Sequence, residues 1–385
     1  MALRSALSAC GTTEEAVALL SDLVRVKSYP GEERAAQEVV AAWLRDHGLL
    51  PEYQQAGEDR PNIIATIRNG PGPTLLINGH TDTVLEAEGW DSNPWEPRIA
   101  GNRLYGLGAC DMKSGVVAML LAGRALDQHR DCWSGTVIIS SVVDEEAYSL
   151  GAHALIDGGL KADYAIVTES TGDTPCVGSI GKVLVQVDVT GKAAHASWPD
   201  RGINAAIELA KFVALLESVP IDEHPRMKGS QTILSSISGS AQYVITVPEK
   251  ARALVNRHTV PGESVEMVLE RYQAVVDQLQ SPATFELSVQ PPFYPPWETE
   301  IEAPITRSMH NAFVAEQGKD PEYGYWGFGD MNLFSGEAGI PTVVLGPAGA
   351  GFHEKNEWVD IESIVPVARM IVRMTADLLP AGSES

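Results

Sequence analysis

The stretch "TVIISSVVDEEAYSLGA" occupies residues 136–152. Its first eight residues are rich in β-branched side chains and do not alternate with charged ones. That texture suits a strand covered on both faces. The run ends abruptly in Asp144, Glu145 and Glu146. Three successive carboxylates repel one another, and the tip of a buried strand raises the cost of keeping them ionised. Similar apolar runs occur at 62–67, 74–79, 164–168 and 341–346. Helical patterns such as "GVVAMLLAGRAL" (115–126) lie between them. Strands separated by helices predict an α/β domain, a mostly parallel sheet with helices on both faces.

Working outward, Thr12 and Glu15 form a capping box before a helical pattern, and a second helix is expected over 32–47. From about residue 183 the texture changes. "VLVQVDV" and "KARALVN" alternate apolar and polar residues, as half-buried strands do. Amphipathic helices are predicted near 203–216 and 264–279. This β-α-β-β-α-β order predicts a small α+β, ferredoxin-like domain. The proline-rich "VQPPFYPPW" (289–297) reads as a hinge back to the first domain, and a closing helix follows near 363–379. The expected division is therefore 1–181 with 295–385, and an inserted domain over 182–294.

Of the 385 residues, 44% are hydrophobic and the formal net charge is −23. Such acidity argues against nucleic acid, whose binding is dominated by cation–phosphate contacts. Four scattered cysteines make no disulfide framework and fit a reducing cytoplasm. No apolar run approaches the ~20 residues of a membrane span, and the run before "LSAC" (7–10) is too short for a signal peptide. "GLGAC" (106–110) lacks the third glycine of a dinucleotide fingerprint, and "GPAGAG" (346–351) lacks the P-loop lysine. No G-x-S-x-G elbow is present, which leaves a serine hydrolase with little support.

Five segments place acids or imidazoles just after apolar runs or before a helix: His80 and Asp82, Asp111, Glu145 and Glu146, Glu169, and His353. In an open α/β sheet the carboxyl ends of the strands line the ligand crevice. Lys113 and Lys355 are too few to neutralise such a gathering. Each residue alone has a structural explanation: Asp111 as a helix N-cap, Glu145 and Glu146 as first-turn acids, His80 as a hydrogen-bonded core histidine. All those explanations would have to hold at once. Two divalent metals account for the set together, and two histidines with three carboxylates suit zinc, with cobalt or manganese as alternatives. Such pairs activate a water between them, and a further carboxylate could serve as general base.

The stretches "GHTDTV", "GLGACDMKSG", "VVDEEAYSLGA", "TES", "GKAAHASWPDRGINA" and "GFHEKNEWV" span residues 79–359. Together they resemble the cocatalytic metallopeptidase and deacylase family that includes acetylornithine deacetylase, succinyl-diaminopimelate desuccinylase, aminoacylase and glutamate carboxypeptidase. The resemblance implies that His80 and Glu169 hold one metal, that Glu146 and His353 hold the other, and that Asp111 bridges them. It implies Glu145 as the general base and Asp82 as the residue that orients His80. It implies a cis bond between Asp111 and Met112. It also implies that the inserted domain is a lid and a homodimer interface, through which His195 reaches a second copy's site to stabilise an oxyanion.

Relatives often carry an asparagine where this chain has Ile245, and an arginine near "PGE" that grips a substrate carboxylate. "VNRHTVPGES" offers Arg257 and His258 for that role. The expected reaction is hydrolysis of an amide by a hydroxide bridging the metals. The first expectation is deacylation of an N-acyl amino acid, as acetylornithine deacetylase performs it. The alternatives are a dipeptidase or carboxypeptidase acting on short peptides, and a non-catalytic metal-bound binding protein. An intact Glu145 disfavours the binder, which needs no free base. No nucleic-acid or membrane partner is expected.

Overall fold

The computed structural model describes residues 1–234, 238–241 and 243–381. They form two compact units, Met1–Gly178 with Glu298–Ser385, and Ser179–Trp297. At the centre of the first unit four strands run parallel: Gly135–Val142, Thr74–His80, Tyr164–Val167 and Thr342–Val344, in that spatial order. His80 stands opposite Val142, and Val167 opposite both Asn78 and Val344. The four strands therefore end along one edge. Arg60–Asn69 and Glu52–Gly57 extend the sheet on one side with antiparallel pairing, and Cys176–Ser179 adds to the other.

The central strands are buried on both faces because helices cover them. Ser114–Gln128 links two of the strands, and residues 114–126 are all buried. A helix that is apolar all round belongs inside a protein. Its one arginine, Arg124, is matched by Glu15 and by the carbonyl of Ala9. The helix packs against Ile364–Leu378, whose apolar stripe supplies much of the core. The Thr12 hydroxyl accepts a hydrogen bond from the Glu15 amide at 3.3 Å and starts the helix Thr13–Val24.

In the second unit the strands lie in the order Ser230–Ile233, Lys250–Thr259, Gly181–Thr190, Thr284–Tyr294, all antiparallel. Val183, Val185, Val187 and Val189 point to one face and meet the helices Ala205–Leu216 and Val265–Leu279. Asn204 and Ser264 cap those helices with their side chains. This is the ferredoxin-like order expected from the alternation of elements.

The proline-rich segment 289–297 ends where the inserted unit ends, at Trp297, but most of it is strand. Residues 284–294 are a strand, with a register shift between Gln290 and Tyr294 and a cis Pro291–Pro292 bond. Thr284–Tyr294 is an edge strand, and edges and bulges tolerate the missing amide donor of proline. The structure adds the helices Leu150–Asp157 and Pro304–Gln317.

Candidate metal centre

Each acidic or imidazole group at the sheet edge is delivered by a different strand or loop. His80 is the last residue of its strand and is 1% exposed. Glu145 and Glu146 follow Val142 in a tight turn, in which Asp144 adopts φ +70° and its carbonyl accepts from the amide of Tyr148 at 3.1 Å. Glu169 follows Val167 and is buried. Asp111 lies just before the helix Ser114–Gln128, and its bond to Met112 is cis, the isomer that the resemblance implied. His353 sits at φ +58° on a loop after the strand Thr342–Val344 and is half exposed.

These groups converge. His80 Nε2 lies 3.4 Å from Asp111 Oδ1, 3.4 Å from Glu169 Oε1 and 3.7 Å from Glu145 Oε2. His353 Nε2 lies 3.2 Å from Asp111 Oδ2 and 3.0 Å from Glu146 Oε2. The two oxygens of Asp111 thus face two different imidazoles. Ligand atoms of His80, Asp111 and Glu146 fall within 4.8 Å of one another, and so do those of His80, Glu145 and Glu169. His80 Nε2 and Glu169 Oε2 are buried with no hydrogen-bond partner. Buried polar atoms are seldom left so, and orphaned donor atoms on an imidazole and a carboxylate fit a bound divalent cation.

The electrostatics agree. Burial raises the carboxyl of Glu145 well above the usual range, only partly offset by His80, while Glu169, Asp330 and Glu146 push it further up. Glu169 is raised to about 7, by burial first and then by the charge of Asp111. Burial opposes ionisation of Asp111 as well, but the neighbouring imidazoles of His353 and His80 hold it below its ordinary value. His353 is raised to about 10 by its bonds to Asp111 and Glu146. No lysine or arginine makes an ion pair with this cluster among the described residues. Lys113, though close in sequence, turns its ammonium to the carbonyls of Leu23 and Val26.

Other side chains hold the cluster in place. Asp82 was expected to orient His80 through its carboxylate. The nearer partner of His80 Nδ1 is the backbone carbonyl of Asp82, at 3.0 Å, with the carboxylate at 3.4 Å. That carboxylate accepts from the amide of Glu146 at 2.9 Å, so Asp82 ties two ligand segments together. Asp144 is paired with Arg60, which also binds Glu33. The first of the three consecutive acids is thereby neutralised by protein, and the other two are left to the centre. Gly329 lies so close to Glu145 that a Cβ there would overlap its carboxylate. Asp330, beside it, is buried. Sequence reasoning missed Glu33 and Arg60 because neither sits in a motif and their partners are distant in the chain.

His195, Arg257 and His258 belong to the second unit. His195 is exposed, and its Nδ1 accepts from the amide of Ser197 at 3.1 Å. Arg257 requires a correction. Its side chain is 1% exposed and is bound by Glu263, by the carbonyl of Pro220 at 3.0 Å and by Gln231 at 3.3 Å. A guanidinium committed inside its own unit cannot grip a substrate. His258, its neighbour on the strand, points to the opposite face. Its Nδ1 is 2.9 Å from Ser230 Oγ and its Nε2 is 3.0 Å from Asn256 Nδ2.

The chain matches the model of peptidase family M20/M25/M40 over residues 76–377 and belongs to that family. It is a metal-dependent hydrolase. Among curated relatives, succinyl-diaminopimelate desuccinylase of Methylobacterium radiotolerans is 29% identical over 369 residues, 91% of this chain and 93% of that protein. Among solved structures, a tripeptidase from Staphylococcus aureus superposes with a TM-score of 0.78 at 21% identity, covering 95% of this chain and 98% of that one. A dinuclear metal-binding M20 peptidase from Bacillus subtilis gives 0.75 at 16% identity, covering 96% and 99%. Among the described residues no helix is long and apolar enough to cross a membrane.

Proposed function

We propose that the chain removes the acyl group from an N-acyl amino acid by hydrolysing its amide bond. The observation that carries this reading is the double-faced carboxylate of Asp111, 3.4 Å from His80 and 3.2 Å from His353. His80 and Glu169 would hold one divalent ion, Glu146 and His353 the other, and Asp111 both. Zinc suits this donor set first, with cobalt or manganese as substitutes. When bound, the pair supplies Lewis acidity toward the scissile carbonyl and the attacking water.

Glu145 takes the proton of that water and passes it to the leaving amine. Its burial and acidic neighbours raise its basicity, which suits a group that must accept a proton and then return it. His195 is suited to steady the oxyanion. Because its Nδ1 accepts from a backbone amide, the neutral ring carries its proton on Nε2 and presents a donor. That donor would come from a second copy of the chain, in a cytoplasmic homodimer formed through the inserted unit. His258 is the remaining candidate for contact with the amino-acid part. Burial lowers its pKa, so it would meet that part as an uncharged partner.

Deacylation comes ahead of peptide cleavage because the curated relative at 29% identity is a desuccinylase. Acetylornithine itself has no such support. The test strips the protein of metal, restores zinc, and offers N-succinyl and N-acetyl amino acids beside dipeptides. Zinc-dependent release of free amino acid from the acylated set is expected. Turnover confined to dipeptides would move the reading to a dipeptidase, and no zinc-dependent turnover anywhere would remove it.

A further inference from the structure

We propose that Glu357 is a positioning residue that holds Asp111 in place for the metal it shares with Glu146 and His353. This rests on the metal assignment proposed above. The Glu357 side chain is buried, 1% exposed, and no lysine or arginine forms an ion pair with it among the described residues. Its carboxylate is instead satisfied by backbone. Oε2 accepts from the amide of Gly108 at 2.9 Å, and Oε1 accepts from the amides of Cys110 at 2.7 Å and Asp111 at 3.0 Å. Three hydrogen bonds to one segment fix its path. Gly108 makes that path possible: its φ is +75°, and a Cβ there would lie 2.5 Å from Thr83 Cγ2.

The other end of the connection is His353, four residues earlier in the chain. The amide of Gly106 donates to the carbonyl of Glu357 at 3.1 Å, and the strand Trp358–Asp360 continues beside Arg103–Tyr105. The loop between His353 and Glu357 is closed by Asn356, which exchanges two bonds of 3.0 Å with Asp91. One carboxylate therefore clamps the segment that delivers Asp111 onto the segment that delivers His353. Loss of a group that orients a metal ligand typically weakens metal binding by roughly 10–100-fold. The other ion would share Asp111, but its remaining ligands, His80 and Glu169, come from two strands that Glu357 does not touch.

The experiment titrates zinc and cobalt into the metal-free wild type, Glu357→Gln and Glu357→Asp. It follows stoichiometry, the affinity of each step, the cobalt absorption spectrum and the melting temperature. The wild type is expected to bind two ions. Glu357→Gln is expected to bind the ion between Glu146 and His353 about 10–100-fold more weakly, to lose the spectral band of that site, and to weaken the other ion less, because His80 and Glu169 still hold it. Glu357→Asp keeps the charge with a shorter reach, and should show the same selective loss to a smaller degree even if the glutamine variant fails to fold. Two ions bound with unchanged affinity and spectra in a folded variant, whatever its melting temperature, would make Glu357 merely structural and overturn the proposal. A wild type that binds fewer than two ions would overturn the metal assignment itself, and this proposal with it.

Discussion

Two buried clusters of charge stand in this chain, one in each unit, and they are built on opposite rules. In the inserted unit Glu263 accepts from Arg257 and from Arg271 at 2.7 Å, and Arg271 also pairs with Asp222 at 2.7 Å. Two guanidiniums meet two carboxylates, so positive and negative groups balance. At the sheet edge of the other unit, four carboxylates of Asp111, Glu145, Glu146 and Glu169 form ion pairs, among the described residues, with the imidazoles of His80 and His353 alone. A cluster that serves stability matches its charges internally, because each unmatched buried charge costs several kcal/mol. A cluster that serves a bound cation leaves them unmatched.

Metal removal tests that contrast most strongly. Chelation should abolish amide hydrolysis and zinc should restore it, while the Arg257–Glu263 cluster keeps the inserted unit folded, as circular dichroism would show. Unchanged turnover in metal-free protein would erase the distinction between the clusters. Next in size is Glu145→Gln, which should cut kcat by about 10²–10⁴-fold, the range for a positioned acid–base group. Metal analysis of that variant should still find two ions, and a small loss of kcat would favour the binding-protein alternative.

On the other side of the comparison, Arg257→Ala strips a buried carboxylate of its partner. It should destabilise the protein by about 3–5 kcal/mol in denaturant titration, with zinc affinity unaltered. A large effect on KM with little effect on stability would return Arg257 to the substrate. The smallest expected effect is on pH dependence. Burial raises Glu169 from an ordinary 4.5 to about 7. The folded metal-free protein therefore holds a proton there that the unfolded chain has already released. Stability from this source is complete below pH about 4.5 and is lost as pH rises through about 7. Melting temperatures of metal-free protein should fall across that interval. Bound zinc should flatten the fall, because metal binding displaces the protons.

Legibility in the sequence followed a simple division. The parallel strands could be read because each is a short continuous apolar run, and the helix Ser114–Gln128 because it is apolar throughout. His80, Asp111, Glu145, Glu146, Glu169 and His353 could be nominated because each follows such a run or precedes such a helix. Glu33 and Arg60 could not, since a buried salt bridge between distant residues leaves no local pattern. Arg257 and His258 are neighbours in a line, and the resemblance to relatives favours His258 without saying where either side chain points. Strand alternation then sent one into an internal ion cluster and the other to the opposite face. The proline-rich stretch was not read as a strand because an edge position, which excuses proline, is a property of the sheet.

The chain by itself therefore determined the α/β class, the inserted β-α-β-β-α-β unit and the residue types gathered at the strand ends. Those depend on periodicity and on what directly follows each run. Only the tertiary structure decided which oxygen of Asp111 faces which imidazole, that Asp144 is spent on Arg60, and that Glu357 clamps the Asp111 segment. These depend on distances between residues tens to hundreds of positions apart, and a linear sequence carries no such distances.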